Sequence, residues 1–251
     1  MRSRISKVLA AGIIGCALMA VPVDSNAAEV KAGADVLTSY VFRGVTINAD
    51  PVIQPYLNVT HPSGVGLKVW SNFDLGDDDA AFEKREFSET RFIAHYKDEA
   101  NAFRYKLGYI EYTFPGVVSE DGIDATANRE VFVGATTELT PDLDAGITGY
   151  YEFEDVRDFY VSAKANYSLA VTEELSVGAH GHFGFAGKDF ALGDNSGAHD
   201  YLLGVSSTFA LRDDTNVRAF VNYVDTARTK TLPDEFVREN WVGGLGINHT
   251  F

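Results

Sequence analysis

Charged and imidazole side chains recur at every second position through this chain. Glu89 and Arg91, Arg104 and Lys106, and His180 and His182 each stand two residues apart. On an extended strand, residues i and i+2 project from one face, so each pair presents its groups to the same space. Arg43, Lys68, Glu130, Glu152, Asp158, Lys164, Arg218 and Arg238 hold the same polar parity within their own segments. Fixed charges lining a passage select solutes by sign and hold polar molecules in transit. The same charges, paired across neighbouring strands, would instead fill and close the space. Bases dominate one run of segments (Lys68, Arg91, Arg104, Lys106) and acids the next (Glu130, Glu138, Glu152, Asp158), with Lys164 an exception. That division predicts a field across the enclosed space.

Other chemistry finds less support. His180 and His182 could share a metal with a carboxylate from a neighbouring strand, but two separately solvated histidines are the more ordinary reading, and no metal or other cofactor is expected. Asp77-Asp78-Asp79 lacks the alternating spacing of a calcium loop and reads as a solvated run, able to bridge to lipopolysaccharide through divalent ions. No Gly-x-Ser-x-Gly, His-Glu-x-x-His or Gly-rich phosphate loop occurs, so the chain is not expected to be an enzyme. With 21 Lys and Arg against 36 Asp and Glu, the net charge is −15, which argues against a nucleic-acid partner. The single cysteine, Cys16, excludes a disulfide scaffold.

The elements that must position these residues are legible in outline. Arg2, Arg4 and Lys7 precede an apolar run to about Val23, then small residues at Ser25, Ala27 and Ala28. That order reads as a secretory signal peptide over 1–27, leaving 28–251 as one domain. Beyond it, no apolar run approaches the roughly 18 residues a membrane helix needs, so the domain crosses a membrane as a closed barrel or not at all.

The body alternates with period two. Val65, Leu67 and Val69 alternate with Gly66, Lys68 and Trp70, and Val217, Ala219, Val221 and Tyr223 with Asn216, Arg218, Phe220 and Asn222. Such segments predict about twelve strands, with ten the other possibility. Their limits are 30–43, 52–61, 65–75, 87–97, 102–113, 130–140, 145–154, 158–171, 175–187, 198–210, 216–226 and 237–251. Every second connection is short and rich in Pro, Gly, Asn and Asp, such as His61-Pro62-Ser63-Gly64, and most of the intervening ones are long. Tight turns alternating with long loops are the pattern of an antiparallel up-and-down transmembrane barrel. Aromatics near strand ends (Tyr40, Phe42, Phe73, Phe87, Tyr96, Phe103, Phe153, Phe159, Tyr167, Phe209, Trp241) read as interfacial girdles. A soluble sandwich or barrel shares the alternation with its faces exchanged.

Gly246 stands five residues before the terminal Phe251, with bulky residues alternating between them. This resembles the C-terminal strand read by the barrel-assembly machinery, although His249 departs from the usual aromatic or aliphatic residue. Thr38-Ser39-Tyr40-Val41-Phe42-Arg43-Gly44-Val45, then Pro51-Val52-Ile53-Gln54-Pro55 and Gly66-Leu67-Lys68-Val69-Trp70-Ser71-Asn72-Phe73, resembles the TorF-type porin family of Gram-negative bacteria. The likeness is strongest over 34–75. It implies an outer-membrane barrel in contact with lipid and lipopolysaccharide, passing small polar solutes or ions by passive diffusion, and names no solute. Arg43 is expected near the outer rim of the first strand, as a selectivity charge or as one partner of a rim carboxylate, with Gly44 allowing a sharp loop entry. A plugged barrel acting through its outer loops is the alternative. Oligomeric state is left open.

Overall fold

The computed structural model describes residues 28–76, 85–115, 128–193 and 195–251. The expected signal peptide and Asp77-Asp78-Asp79 lie outside the described residues. Twelve strands close into an antiparallel barrel: β1 (Glu29–Leu37), β4 (Val52–Thr60), β5 (Val65–Asp74), β6 (Phe87–Ala100), β7 (Phe103–Thr113), β8 (Asn128–Thr140), β9 (Leu143–Glu152), β10 (Phe159–Ala170), β11 (Leu175–Ala186), β12 (Gly197–Arg212), β13 (Thr215–Thr226) and β14 (Trp241–Thr250). Each pairs with its neighbours in sequence order, and β1 closes the ring against β14 with Asp35 opposite Gly246. Closure leaves no unpaired strand edge. The twelve-strand count holds.

The first strand ends earlier than its alternation predicts. β1 stops at Leu37, and residues 40–48 form a separate two-stranded hairpin of β2 (Tyr40–Phe42) and β3 (Val45–Asn48). A two-residue turn joins them. Arg43 (φ 50°) and Gly44 (φ 81°) both take positive φ, as a hairpin turn matched to strand twist requires. Positive φ suits Gly44 and costs a residue such as Arg43 about 1–2 kcal/mol, so contacts elsewhere must hold the turn.

The barrel has a loop end and a turn end. The short turns at 61–64, 101–102, 141–142, 171–174 and 213–214 share one end with the start of β1 and the end of β14. The long connections, including 38–51 with its hairpin, share the other. The apolar parity faces outward: Leu67 is 64% exposed, Val133 63% and Leu245 63%. A soluble barrel would bury that face. The polar parity points into the lumen, and the loop-end half of that interior is packed, with Ser39, Asn48, Asn72, Asp74, Glu89, Glu130, His199 and Asp200 all buried.

Candidate functional site

The site is built around the inturned hairpin. A strand running straight to residue 43 would have set Tyr40 and Phe42 in a girdle at the rim. Instead Tyr40 is buried inside the barrel, and Phe42 lies between two guanidinium groups, Arg43 at 4.7 Å and Arg91 at 4.2 Å from its ring. Phe153, Phe159, Tyr167, Phe209 and Trp241 remain exposed on the outer surface, as expected of girdle positions.

Two arginine cages hold the hairpin. Arg43 donates through both terminal nitrogens to Glu130, at 2.6 and 2.8 Å, and the Tyr112 hydroxyl donates to the same carboxylate at 2.7 Å. The Arg43 guanidinium also lies 4.6 Å from the Tyr150 ring, 4.5 Å from Tyr160 and 5.0 Å from Phe190. Bidentate pairing and ring stacking both exploit the planar fork that lysine lacks. In the second cage Arg91 donates to Glu89 at 2.5 Å and to the Tyr40 hydroxyl at 2.5 Å, while that hydroxyl donates to Glu89 at 2.8 Å. Trp70 and Tyr112 flank the Arg91 guanidinium at 4.5 and 4.9 Å. Burial pushes the Tyr40 phenol well above its ordinary value, so it remains a donor.

Behind the turn sits a third cluster. Asp200 accepts from His182 (2.6 Å), Tyr160 (2.8 Å) and His199 (2.9 Å). A Cβ on Gly44 would stand 2.5 Å from the Asp200 Cβ and 2.6 Å from Leu232. Glycine is therefore required there for space as well as for φ. The Glu239 amide donates to Thr46 at 3.0 Å, tying the hairpin to the connection before β14.

Three cavities run in series along the interior. The loop-end cavity, about 250 Å³, lies above the Arg43–Glu130 pair. A middle chamber of about 450 Å³ lies below it, and Phe42, Arg43 and Tyr112 line both, forming the partition. A third cavity of about 450 Å³ opens toward the turn end and shares Lys164 and His182 with the middle one. Lys68, Lys106 and Lys164 line the middle chamber together with Arg43 and Arg91, and among the described residues no carboxylate does. The Lys68 ammonium stands 4.9 Å from the Tyr56 ring and Lys106 5.7 Å from Phe132.

The remaining sequence candidates scatter. Arg218 lines the turn-end cavity, its guanidinium 4.9 Å from the Phe220 ring. Arg104 pairs with Asp144 at 2.6 Å near the turns. Glu152 accepts the backbone amides of Glu154, Asp155, Val156 and Arg157, so it caps its own loop. Asp158 and Arg238 stand in connections rather than on strands. Asp158 accepts the amides of Asp189 and Phe190. The field expected across the lumen therefore lacks its negative wall: Glu130 neutralises Arg43, and Glu152 and Asp158 cap backbone. His180 bonds Asn222 at 2.8 Å while His182 bonds Asp200, so the two imidazoles have separate partners. Among the described residues no group of three or more His, Cys, Asp or Glu is arranged to hold a metal. Gly246 lies beneath the Asp35 carboxylate, where a Cβ would meet Oδ1 at 2.0 Å, and the Phe251 amide donates to Val30 at 2.9 Å.

The hairpin is the element that alternation alone missed. Its signal was present: Tyr-Val-Phe and Val-Thr-Ile flank Arg-Gly, two strand-forming runs around a glycine turn.

A closed antiparallel barrel of consecutive strands with an apolar exterior and a charged interior defines an up-and-down β-barrel fold. Solved structures share this fold. The KdgM porin in complex with disordered oligogalacturonate is 10% identical over 89% of this chain and 99% of its own, with a TM-score of 0.55. The NanC porin is 12% identical over 90% and 100%, with a TM-score of 0.52. The COG4313 outer membrane channel from Pseudomonas putida F1 is 13% identical over 92% and 97%, with a TM-score of 0.56. At such identities the likeness is one of fold. The chain belongs to the family described as a bacterial protein of unknown function (Gcw_chp), whose model matches residues 23–250. No curated protein sequence matches the chain.

Proposed function

We propose that this protein is an outer-membrane channel through which small polar solutes diffuse passively, narrowed on its loop side by the inturned hairpin. The observation that carries the reading is the pairing of an exposed apolar exterior with an interior of polar side chains and cavities that share lining residues. An apolar face of this extent is stable only against lipid. The shortest barrel strands have nine residues, enough to cross a bilayer when tilted. The turns then face the periplasm and the loops the exterior. Residues 1–27 serve as the export signal, Gly246 and Phe251 belong to the strand read by the barrel-assembly machinery, and lipid with lipopolysaccharide surrounds the wall. The TorF-type resemblance over 34–75 supports the same reading, and the porins that share the fold agree with it. No catalytic step is assigned.

Planar-bilayer conductance of the refolded chain lacking residues 1–27 tests this. Discrete single-channel steps are expected. One observation favours a second reading, a plugged barrel acting through its loops: the hairpin is anchored by the buried Arg43–Glu130 ion pair and by the Tyr40 hydroxyl bonded to Glu89 and Arg91, rather than resting loosely. A correctly folded, heat-modifiable barrel that never conducts would decide for the plugged form.

A further inference from the structure

We propose that the middle chamber is a binding site for small organic polyanions, molecules carrying two or more carboxylate or phosphate groups, and that it sets the solute class of the channel. The inference rests on the channel reading for its physiological meaning, but the site itself is argued from geometry.

The first argument is charge. The chain carries 36 acids and only 21 bases, yet among the described residues five cations and no carboxylate line this chamber. Arg43 and Arg91 form its roof and already have Glu130 and Glu89. Lys68 on β5, Lys106 on β7 and Lys164 on β10 form no ion pair among the described residues. A barrel built only to close would pair them, as Arg104 pairs with Asp144 closer to the turns. Like charges gathered in a confined, partly dehydrated space repel one another, and a multivalent anion relieves all three at once.

The second argument is space and hydrogen bonding. Positions that could have carried counterions are occupied by small neutral residues, Thr148 and Ser162. The Ser162 hydroxyl is buried in the same wall and has no hydrogen-bond partner among the described residues. A ligand carboxylate, phosphate or hydroxyl would satisfy it. The chamber volume of about 450 Å³ falls within the range of small-molecule sites.

The third argument is the type of cation. Arginine is used where the partner is fixed and planar, in the two cages. Lysine, a flexible point charge with rotatable donors, is used where nothing in the protein is bound. That division suits a ligand that must enter and leave.

The test uses the refolded chain lacking residues 1–27, wild type and a K68Q/K106Q/K164Q variant, with Lys188→Gln in a loop as control. Glutamine keeps the bulk of lysine and removes the repulsion, so the triple variant folds, checked by heat-modifiable migration. Citrate is titrated in detergent with Trp70 fluorescence as readout, in a Trp241→Phe background. Sodium chloride at matched ionic strength and glucose serve as comparison solutes. Saturable citrate binding is expected, weakened at least about tenfold in the triple variant and unchanged in Lys188→Gln. Bilayer reversal potentials in a salt gradient provide the second readout. Wild type should prefer anions, and the triple variant should lose that preference. A conducting channel whose selectivity and citrate response ignore the three lysines overturns the inference and leaves the channel standing. Lysine-dependent citrate binding in a silent barrel supports the site and removes the channel. A chloride response equal to that of citrate overturns the polyanion class.

Discussion

The two halves of the lumen solve the same electrostatic problem in opposite ways. Toward the loops the charges that hold the hairpin have internal partners. Arg43 has Glu130, Arg91 has Glu89 and Tyr40, and Asp200 has two imidazoles and a phenol. Aromatic rings pack around these groups beside a cavity of about 250 Å³, and the hairpin is the lid of that packing. Below it, Lys68, Lys106 and Lys164 face cavities whose described lining holds no carboxylate. Paired charges exclude water and rigidify; unpaired charges in a narrow space remain available to whatever enters. Burial without a partner costs several kcal/mol per ion, so the loop-end half is expected to be sensitive to single substitutions in stability and the turn-end half in selectivity.

Glu130→Gln should have the largest effect. It leaves the Arg43 guanidinium buried without its carboxylate, a loss of about 3–5 kcal/mol in hairpin docking. Trypsin should then cleave after Arg43, where the wild type resists, and the conductance should rise. If cleavage and conductance stay at wild-type values, the hairpin is not held by this pair. Gly44→Ala comes next: the added Cβ meets Asp200 and Leu232 in a left-handed backbone, so about 2 kcal/mol or more is lost. A thermal scan with the hairpin protease assay measures it.

Tyr40→Phe removes one hydroxyl shared by Glu89 and Arg91 and should cost about 1–2 kcal/mol, read by the same assay. The phenol also gives a pH signature. Because its folded value is raised, its anchoring contribution is complete below about pH 10, the ordinary phenol value, and declines as pH rises toward the folded one. Conductance of the wild type should increase above that pH, and Tyr40→Phe should show no such step. Arg104→Ala should do least, within about 0–1 kcal/mol, because both partners of that ion pair are more than a third exposed. A large destabilisation there would break the contrast between the halves.

Much of this molecule was legible residue by residue. Alternation set which side chains share a face: Lys68 with Trp70 and Asn72, Arg218 with Phe220 and Asn222. The turn chemistry at 61–64 and 141–142 separated strands whose observed ends differ by a residue or two from their expected ones. The first strand failed because Tyr40-Val41-Phe42 continues its β-forming composition, and alternation carries no information about where a strand leaves the sheet. Asp158 and Arg238 were assigned to strands for the same reason, at ends where alternation blurs into loop.

The sequence by itself determined the barrel. Period two with a tight turn at every second connection admits few other closed arrangements, because each backbone edge must find a partner and each apolar face must find lipid or a core. It also determined the inventory of lumen charge. Which of those charges neutralise one another was decided only by tertiary structure. Arg43 and Glu130 are 87 residues apart, and their pairing depends on a hairpin turning inward through a ring already closed. Local pattern reports the direction of a side chain from its own strand. The contents of a lumen depend on the distance across it, and that distance exists only once the ring has formed.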